Sequence, residues 1–158
     1  MRNHPPLVAR RLARVGFLTW LGFFGSGWLV PASAHAQDHI VVDVVLCAAR
    51  CAPAVLRVWD GDSVRIGFGS GSERVRLANI DAPEIDGQCK AEIERARLAQ
   101  ARLAELLRGR DVVIVPAGVD RHGRTLATLQ VAGADVGQIL VAEGLARMWS
   151  GRRQPWCP

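Results

Sequence analysis

The stretch Arg76-Leu-Ala-Asn-Ile-Asp-Ala-Pro-Glu84 places one guanidinium and two carboxylates within nine residues. Its first half alternates as a β-strand does, with Val75, Leu77 and Asn79 on one side and Arg76, Ala78 and Ile80 on the other. Asp81 follows where the strand ends, and Pro83 restricts the residue before it to an extended or turn conformation. The stretch therefore predicts a strand that delivers its polar side chains on a stiff connection, as a catalytic site requires.

The alternative interpretation of this stretch is a strand, a turn and a solvated ion pair between Arg76 and one of the acids. Exposed pairs of this kind are common and contribute about 0 to 1 kcal/mol each. The rest of the sequence is therefore needed to choose between the two interpretations.

The first 36 residues have the order of a secretory signal peptide. Four arginines precede an apolar run from Val15 to Val30, and small residues follow it up to Ala36. The run is broken by Gly25 and Gly27 and is shorter than the ~20 residues of a membrane-spanning helix, which favours cleavage after Ala34 or Ala36 over a retained membrane anchor. We expect a periplasmic or secreted protein with no stable membrane association after the leader is removed.

The net charge of the chain says little about its partners. The chain has 20 Lys and Arg against 15 Asp and Glu; the leader holds four of these bases and no acid, which leaves a net charge of +1 on the remainder. No global electrostatic argument for nucleic-acid binding follows, although Arg147, Arg152 and Arg153 form a local basic cluster. The length fits one domain, and we expect a monomer without an obligate protein partner.

The four cysteines are Cys47, Cys51, Cys89 and Cys157, an even number that all follow the predicted leader. In an oxidising compartment this indicates disulfides rather than zinc ligands or a reactive thiol. Three pairings are possible. We favour Cys47 with Cys51 and Cys89 with Cys157, because the second bond would tie the loop after Glu84 to the C-terminal tail.

The remaining pattern predicts a β-barrel with helices, an α+β fold. The predicted strands are Val55–Trp59, Val64–Phe68, Glu73–Ile80, Asp111–Val115 and Leu126–Val131, and the predicted helices are Lys90–Arg108 and Val136–Glu143. This order is that of a five-stranded Greek-key barrel of the OB type with one long and one short helix and no third, C-terminal helix.

The predicted domain boundaries follow from this order. Residues 55–150 would form the barrel domain, and residues 151–158 a C-terminal tail. Residues 37–54 would form an N-terminal extension, in which the Val-rich run His39–Leu46 is a possible extra strand.

Four motifs follow one another along the predicted barrel. They are Asp60-Gly-Asp-Ser63, Arg76-x4-Asp81-Ala-Pro-Glu84, Asp120-Arg-His-Gly-Arg124 and Gly144-Leu-Ala146. Together they resemble the successive motifs of the staphylococcal nuclease family, or thermonucleases, over about residues 55–149. The resemblance implies an SNase-like OB-fold and an endonuclease that hydrolyses DNA and RNA phosphodiester bonds with low sequence preference.

The resemblance also implies roles for single residues. Asp62, Asp81 and the main-chain carbonyl of Ala82 would hold a Ca²⁺, Arg76 and Arg124 would bind the scissile phosphate, and Glu84 would act on the attacking water. Elementary chemistry agrees, since phosphodiester hydrolysis concentrates negative charge on the phosphoryl oxygens, where guanidiniums and a hard cation stabilise it.

This chain departs from the family pattern in two motifs. Ala82 replaces the usual threonine after the acid of the second motif, and the usual Asp-Lys-Tyr-Gly-Arg has Arg121 and His122 in its centre. The chain has no tyrosine, so the candidates for further substrate contact are Arg121, His122 and Trp149. Trp149 would either stack on a base or cap the barrel. The alternative function is a non-catalytic OB module that binds nucleic acid or an envelope component.

Overall fold

The computed structural model describes residues 39–158, so the leader predicted at 1–36 lies outside the described residues. None of the helices in the described part combines the length and apolar character needed to cross a membrane. The strands are β1 (Ile40–Cys47), β2 (Cys51–Val58), β3 (Ser63–Ile66), β4 (Glu73–Leu77), β5 (Ile80–Asp81), β6 (Asp111–Val119), β7 (Thr125–Val131), β8 (Ala134–Asp135) and β9 (Arg147–Met148), and the helices are α1 (Lys90–Leu107) and α2 (Val136–Ala142).

Six of these strands form a closed barrel. Antiparallel pairs join β1 to β2, β2 to β3, β3 to β4 and β6 to β7. Two parallel pairs, β1 with β6 and β4 with β7, complete the ring. The two short strands β5 and β9 pair separately beside it, so the stretch 76–84 leaves the barrel at the end of β4.

The barrel has six strands and not the predicted five, because β1 is part of it. β1 pairs with β2 along its whole length, and its buried residues Val42 and Val44 belong to the core. Proline has no N–H to donate, yet Pro53 does not interrupt β2, because it lies opposite Val45, whose N–H donates to the carbonyl of Arg110 on the other side. Pro53 therefore occupies a position that needs no N–H donor, and β2 continues through it.

The predicted strand from Glu73 to Ile80 ends earlier, at Leu77. Asn79 adopts a φ of 64°, a left-handed conformation that asparagine tolerates better than most residues, and β5 begins directly after it. This turn resets the alternation, so Ile80 packs in the core with Leu77 instead of sharing the side of Arg76. The predicted placement of Ile80 was wrong for this reason.

Helix α1 lies across the barrel and agrees with the helix predicted from residue 90. Its buried face, with Ala96, Ala99, Leu103 and Leu107, packs against β1, β2 and α2. Gly109, with a φ of 65°, follows the helix and reverses the chain into β6. α2 is capped by Asp135, whose carboxylate accepts from the amides of Gly137 and Gln138, and no further helix follows in the described residues.

Gly61 lies in the β2–β3 turn, where α1 and the loop after β5 approach it closely. A Cβ atom on Gly61 would lie 2.6 Å from the Cβ of Ala99 and 2.8 Å from the Cβ of Ala82. Real Cβ atoms do not approach one another so closely, and the turn therefore has room only for glycine.

We expect Gly61→Ala to lower the free energy of unfolding by about 1 to 3 kcal/mol, because the added methyl group overpacks this contact. Urea denaturation of the purified protein measures the change. Gly71→Ala is the matched control, since a Cβ there has no neighbour within 4 Å. Equal destabilisation by the two substitutions would contradict the proposed overpacking.

Candidate active site

Closure of the barrel between β4 and β7 brings the two predicted phosphate-binding arginines to neighbouring strands. Arg76 of β4 lies opposite Leu126 of β7, and Arg124 directly precedes β7. Both arginines line one cavity of about 1070 Å³, which we call the arginine groove. Its other charged or aromatic lining residues are Arg74, Asp81, Glu84, Asp120, Arg121, His122, Trp149, Arg152 and Arg153.

Asp62 lies behind the groove and connects three segments through its carboxylate. Its side chain is 2% exposed. Oδ1 accepts from Nη1 of Arg76 at 2.7 Å and from the hydroxyl of Ser63 at 2.9 Å, and Oδ2 accepts from the amide of Ala82 at 2.7 Å. The predicted metal-site residues Asp62 and Ala82 are therefore in direct contact.

Asp81 is 4% exposed and shares Arg76 with Asp62. Its Oδ1 lies 3.4 Å from Nη2 of Arg76 and 3.3 Å from Nη1 of Arg153. Its Oδ2 accepts from the indole N–H of Trp156 at 3.1 Å. The structure thus brings Asp62, Asp81 and Arg76 together, as the sequence predicted, and adds two residues of the C-terminal tail.

Glu84 is half-buried at the edge of the groove. Its Oε1 accepts from Nη1 of Arg153 at 2.7 Å, and Nη2 of the same guanidinium donates to Oε1 of Glu92 at 2.9 Å. Sequence reasoning missed Arg153, Glu92 and Trp156 as residues of this site. The available signal was the favoured Cys89–Cys157 bond, which would bring the tail and its basic cluster to the start of α1.

Both favoured disulfides are present, Cys47–Cys51 and Cys89–Cys157. Sulfur atoms of Cys89 and Cys157 also lie within 4.8 Å of a carboxylate oxygen of Glu92. Because both sulfurs belong to a disulfide, they cannot act as thiolate ligands, and these three residues do not form a metal site.

The acids of the site lack full charge compensation. Burial and the neighbouring charge of Asp62 raise the pKa of Asp60 to about 8. Burial also raises the pKa of Asp62, against the lowering effect of Arg76, and the pKa of Glu84, against that of Arg153. Clustered carboxylates of this kind fit a hard divalent cation, because carboxylate and carbonyl oxygens are its preferred ligands and its charge would offset their repulsion.

Asp120 positions Arg124 beside the groove. Its Oδ1 accepts from the amides of His122 and Arg124, at 2.8 and 2.9 Å, and its Oδ2 accepts from Nε of Arg124 at 2.7 Å. Burial opposes ionisation, but these hydrogen bonds and the adjacent guanidinium hold the pKa of Asp120 well below its usual value. Within the described chain the terminal nitrogens of Arg124 make no hydrogen bond, so they can bind an anion.

The three further candidates for substrate contact all line the groove. Nε of Arg121 donates to Nε2 of His122 at 3.1 Å, and Arg74 donates to the carbonyl of His122 at 2.8 Å. Trp149 is 45% exposed and its amide donates to the carbonyl of Asn79. Part of Trp149 is therefore accessible to a ligand in the groove.

The closed OB barrel gathers acids and guanidiniums in one groove, an arrangement suited to binding a phosphodiester. Residues 74–155 match the family described as staphylococcal nuclease homologue. A protein named micrococcal nuclease from Shigella flexneri is 40% identical over 133 residues, which cover 78% of this chain and 72% of that protein. The chain therefore belongs to the staphylococcal nuclease family.

Two further relatives from Escherichia coli show how far the similarity extends. An uncharacterized endonuclease is 33% identical over 103 residues, covering 65% of this chain and 63% of that protein. The protein named ParB is 42% identical over 77 residues, covering 49% of this chain and 40% of that protein. Similarity to these two relatives thus extends over less than two thirds of their lengths.

We expect Asp120→Asn to lower nuclease activity about tenfold, because Arg124 loses the carboxylate that orients it. The variant should also unfold at a lower temperature at pH 7. The folded pKa of Asp120 lies below its unfolded value, so its stabilisation is present above about pH 4 and is lost as the pH falls through the folded pKa. Activity assays and thermal unfolding between pH 2 and 7 measure both effects.

The control for this variant is Asp111→Asn, at an exposed position at the start of β6. It should leave nuclease activity unchanged, because Asp111 does not line the groove. A difference between Asp120→Asn and the unmodified protein that stays constant from pH 7 to pH 2 would contradict a role for the ionised carboxylate.

Proposed function

We propose that this protein is an exported, Ca²⁺-dependent nuclease that hydrolyses DNA and RNA phosphodiester bonds with low sequence preference. The observation that carries the proposal is that Asp81, Glu84, Arg76 and Arg124 line one groove and that Asp62, behind it, binds Arg76. The relative from Shigella flexneri that is named micrococcal nuclease supports the same activity.

Arg76 and Arg124 are the phosphate-binding residues of the proposed mechanism. They approach the groove from two strands, so they can bind different oxygens of one phosphate. A guanidinium remains charged at any working pH and makes two parallel hydrogen bonds to a phosphate. The charge that develops on the phosphoryl oxygens in the transition state strengthens these contacts and lowers the barrier.

Glu84 is the residue that acts on the attacking water. Its carboxylate lies at the groove, close to Asp81, and can accept a proton from a water molecule or orient it. Asp62, Asp81 and the carbonyl of Ala82 would hold the cation. When bound, Ca²⁺ supplies Lewis-acid stabilisation of the negative charge on the phosphate.

The number of protein ligands fits an exported enzyme. Two carboxylates and one carbonyl form a weak calcium site, which fills at about 10⁻⁴ to 10⁻³ M Ca²⁺, as found outside the cytoplasm. The proposed signal peptide and the two disulfides suit the same location. We propose that the protein acts as a monomer on nucleic acid and does not require a protein partner.

The groove supports low sequence preference. Most of its charged lining residues are arginines, which bind phosphates and carry no information about base sequence in that role. Trp149 offers an exposed ring on which any base can stack. His122 and Arg121 line the same groove and would bind the nucleic-acid strand that leads away from the scissile phosphate.

We expect the purified protein to cleave single-stranded DNA and RNA with millimolar Ca²⁺, and to lose this activity in EGTA. Arg76→Ala should lose about 100-fold or more in kcat, because one group that stabilises the transition state is removed. Because Arg76 also neutralises Asp62, the variant Arg76→Lys is assayed together with Arg76→Ala. Lysine keeps the positive charge but lacks the planar fork of the guanidinium.

Arg97→Ala, on the exposed face of α1, is the control and should retain full activity. Cleavage that persists undiminished in EGTA, or in Arg76→Ala, would exclude the proposed mechanism. Tight binding of single-stranded DNA without turnover would instead support the non-catalytic OB module.

A further inference from the structure

The C-terminal tail, residues 151–158, is fixed against the active site at several points. Cys157 is bonded to Cys89 immediately before α1. The buried indole of Trp156 donates to Asp81 and lies 3.8 Å, measured to the ring centroid, from the guanidinium carbon of Arg147. Arg147 in turn donates to the carbonyl of Pro155 at 2.9 Å. These contacts give the tail a defined path although it contains no helix or strand beyond β9.

This path places the guanidinium of Arg153 among three carboxylates. Nη1 lies 2.7 Å from Glu84 and 3.3 Å from Asp81, and Nη2 lies 2.9 Å from Glu92. The side chain of Arg153 is 37% exposed. Within the described residues, the Glu84 carboxylate makes one hydrogen bond to protein, which is the bond from Nη1 of Arg153.

Glu92 supports both Glu84 and Arg153 from the first turn of α1. It is 5% exposed, and its carboxylate accepts from the amides of Gln88 and Glu84, at 3.0 and 3.4 Å. A Cβ on Gly87 would lie 2.5 Å from Cγ of Glu92, so the loop closes tightly around this side chain. Glu92 therefore holds the backbone of Glu84 directly and its carboxylate through Arg153.

We propose that Arg153 is a positioning residue for Glu84, and that the Cys89–Cys157 disulfide keeps it in place. The inference rests on the proposed nuclease function, in which Glu84 acts on the attacking water. A half-buried glutamate without a fixed partner samples several rotamers, and ordering it at the moment of reaction costs conformational entropy. The guanidinium removes this freedom, because it binds Glu84 and the anchored Glu92 at the same time.

Steady-state kinetics on single-stranded DNA test this role. Arg153→Ala should lower kcat about 10- to 100-fold, as misplaced catalytic groups do, with a much smaller change in KM. Arg153→Lys should recover part of the loss, since an ammonium can still bind Glu84 but cannot span both glutamates in the same geometry. Arg97→Ala serves again as the arginine control and should match the unmodified protein.

The role of the disulfide is tested by removing each bond separately. The double substitution Cys89→Ser/Cys157→Ser should reproduce the loss of kcat, and adding Arg153→Ala to it should lower kcat little further, because both changes release the same contact. Cys47→Ser/Cys51→Ser removes the bond at the β1–β2 hairpin, which has no contact with Glu84. This control should leave kcat unchanged, and thermal unfolding verifies that each variant is folded at the assay temperature.

The possible results separate the inference from the function on which it rests. A kcat of Arg153→Ala equal to or above that of the unmodified protein would refute the positioning role, as would a loss confined to KM. Both results leave the nuclease function intact. Complete absence of nuclease activity in the unmodified protein would refute the function and the inference together. If the disulfide variant does not fold, the comparison of Arg153→Ala with Arg153→Lys still tests the positioning role of Arg153.

Discussion

The buried carboxylate of Asp62 is the constraint on which the site and the adjoining part of the barrel depend. Its partners are Ser63 in β3, Arg76 in β4 and Ala82 in the loop after β5. Removing one partner of a buried ion pair leaves the other charge uncompensated and costs about 3 to 5 kcal/mol, so the loss of Asp62 or Arg76 would destabilise the contact between these segments. The features that stabilise this end of the barrel are therefore the same groups that would bind the cation and the phosphate.

Asp81 links the two halves of the active site. Arg76, which comes from the barrel, and Arg153, which comes from the tail, both approach its Oδ1 atom. The phosphate-binding side and the Glu84 side of the groove thus meet at one carboxylate oxygen. Because Trp156 binds the other oxygen of Asp81, the C-terminal tail contributes to the site as directly as the barrel does.

The features that depend on local sequence were predictable and the Cys89–Cys157 bond was favoured correctly, but two features that depend on distant pairing, the place of β1 and the contact of Arg153, were not predicted. The periodicity of α1 and the motifs at Asp62 and Arg76 are local patterns. The place of β1 in the barrel follows from its pairing with β6, which is distant in the sequence. The contact of Arg153 with Glu84 depends on a tail whose path is set by a disulfide, and the sequence left three pairings open.

Calcium binding measured by isothermal titration calorimetry tests the central claim most directly, namely that Asp62 and Asp81 form one cation site beneath the arginine groove. The account predicts one Ca²⁺ per chain with a Kd of about 10⁻⁴ to 10⁻³ M, and no binding in folded Asp62→Asn or Asp81→Asn. Unaltered calcium binding in both variants would contradict it.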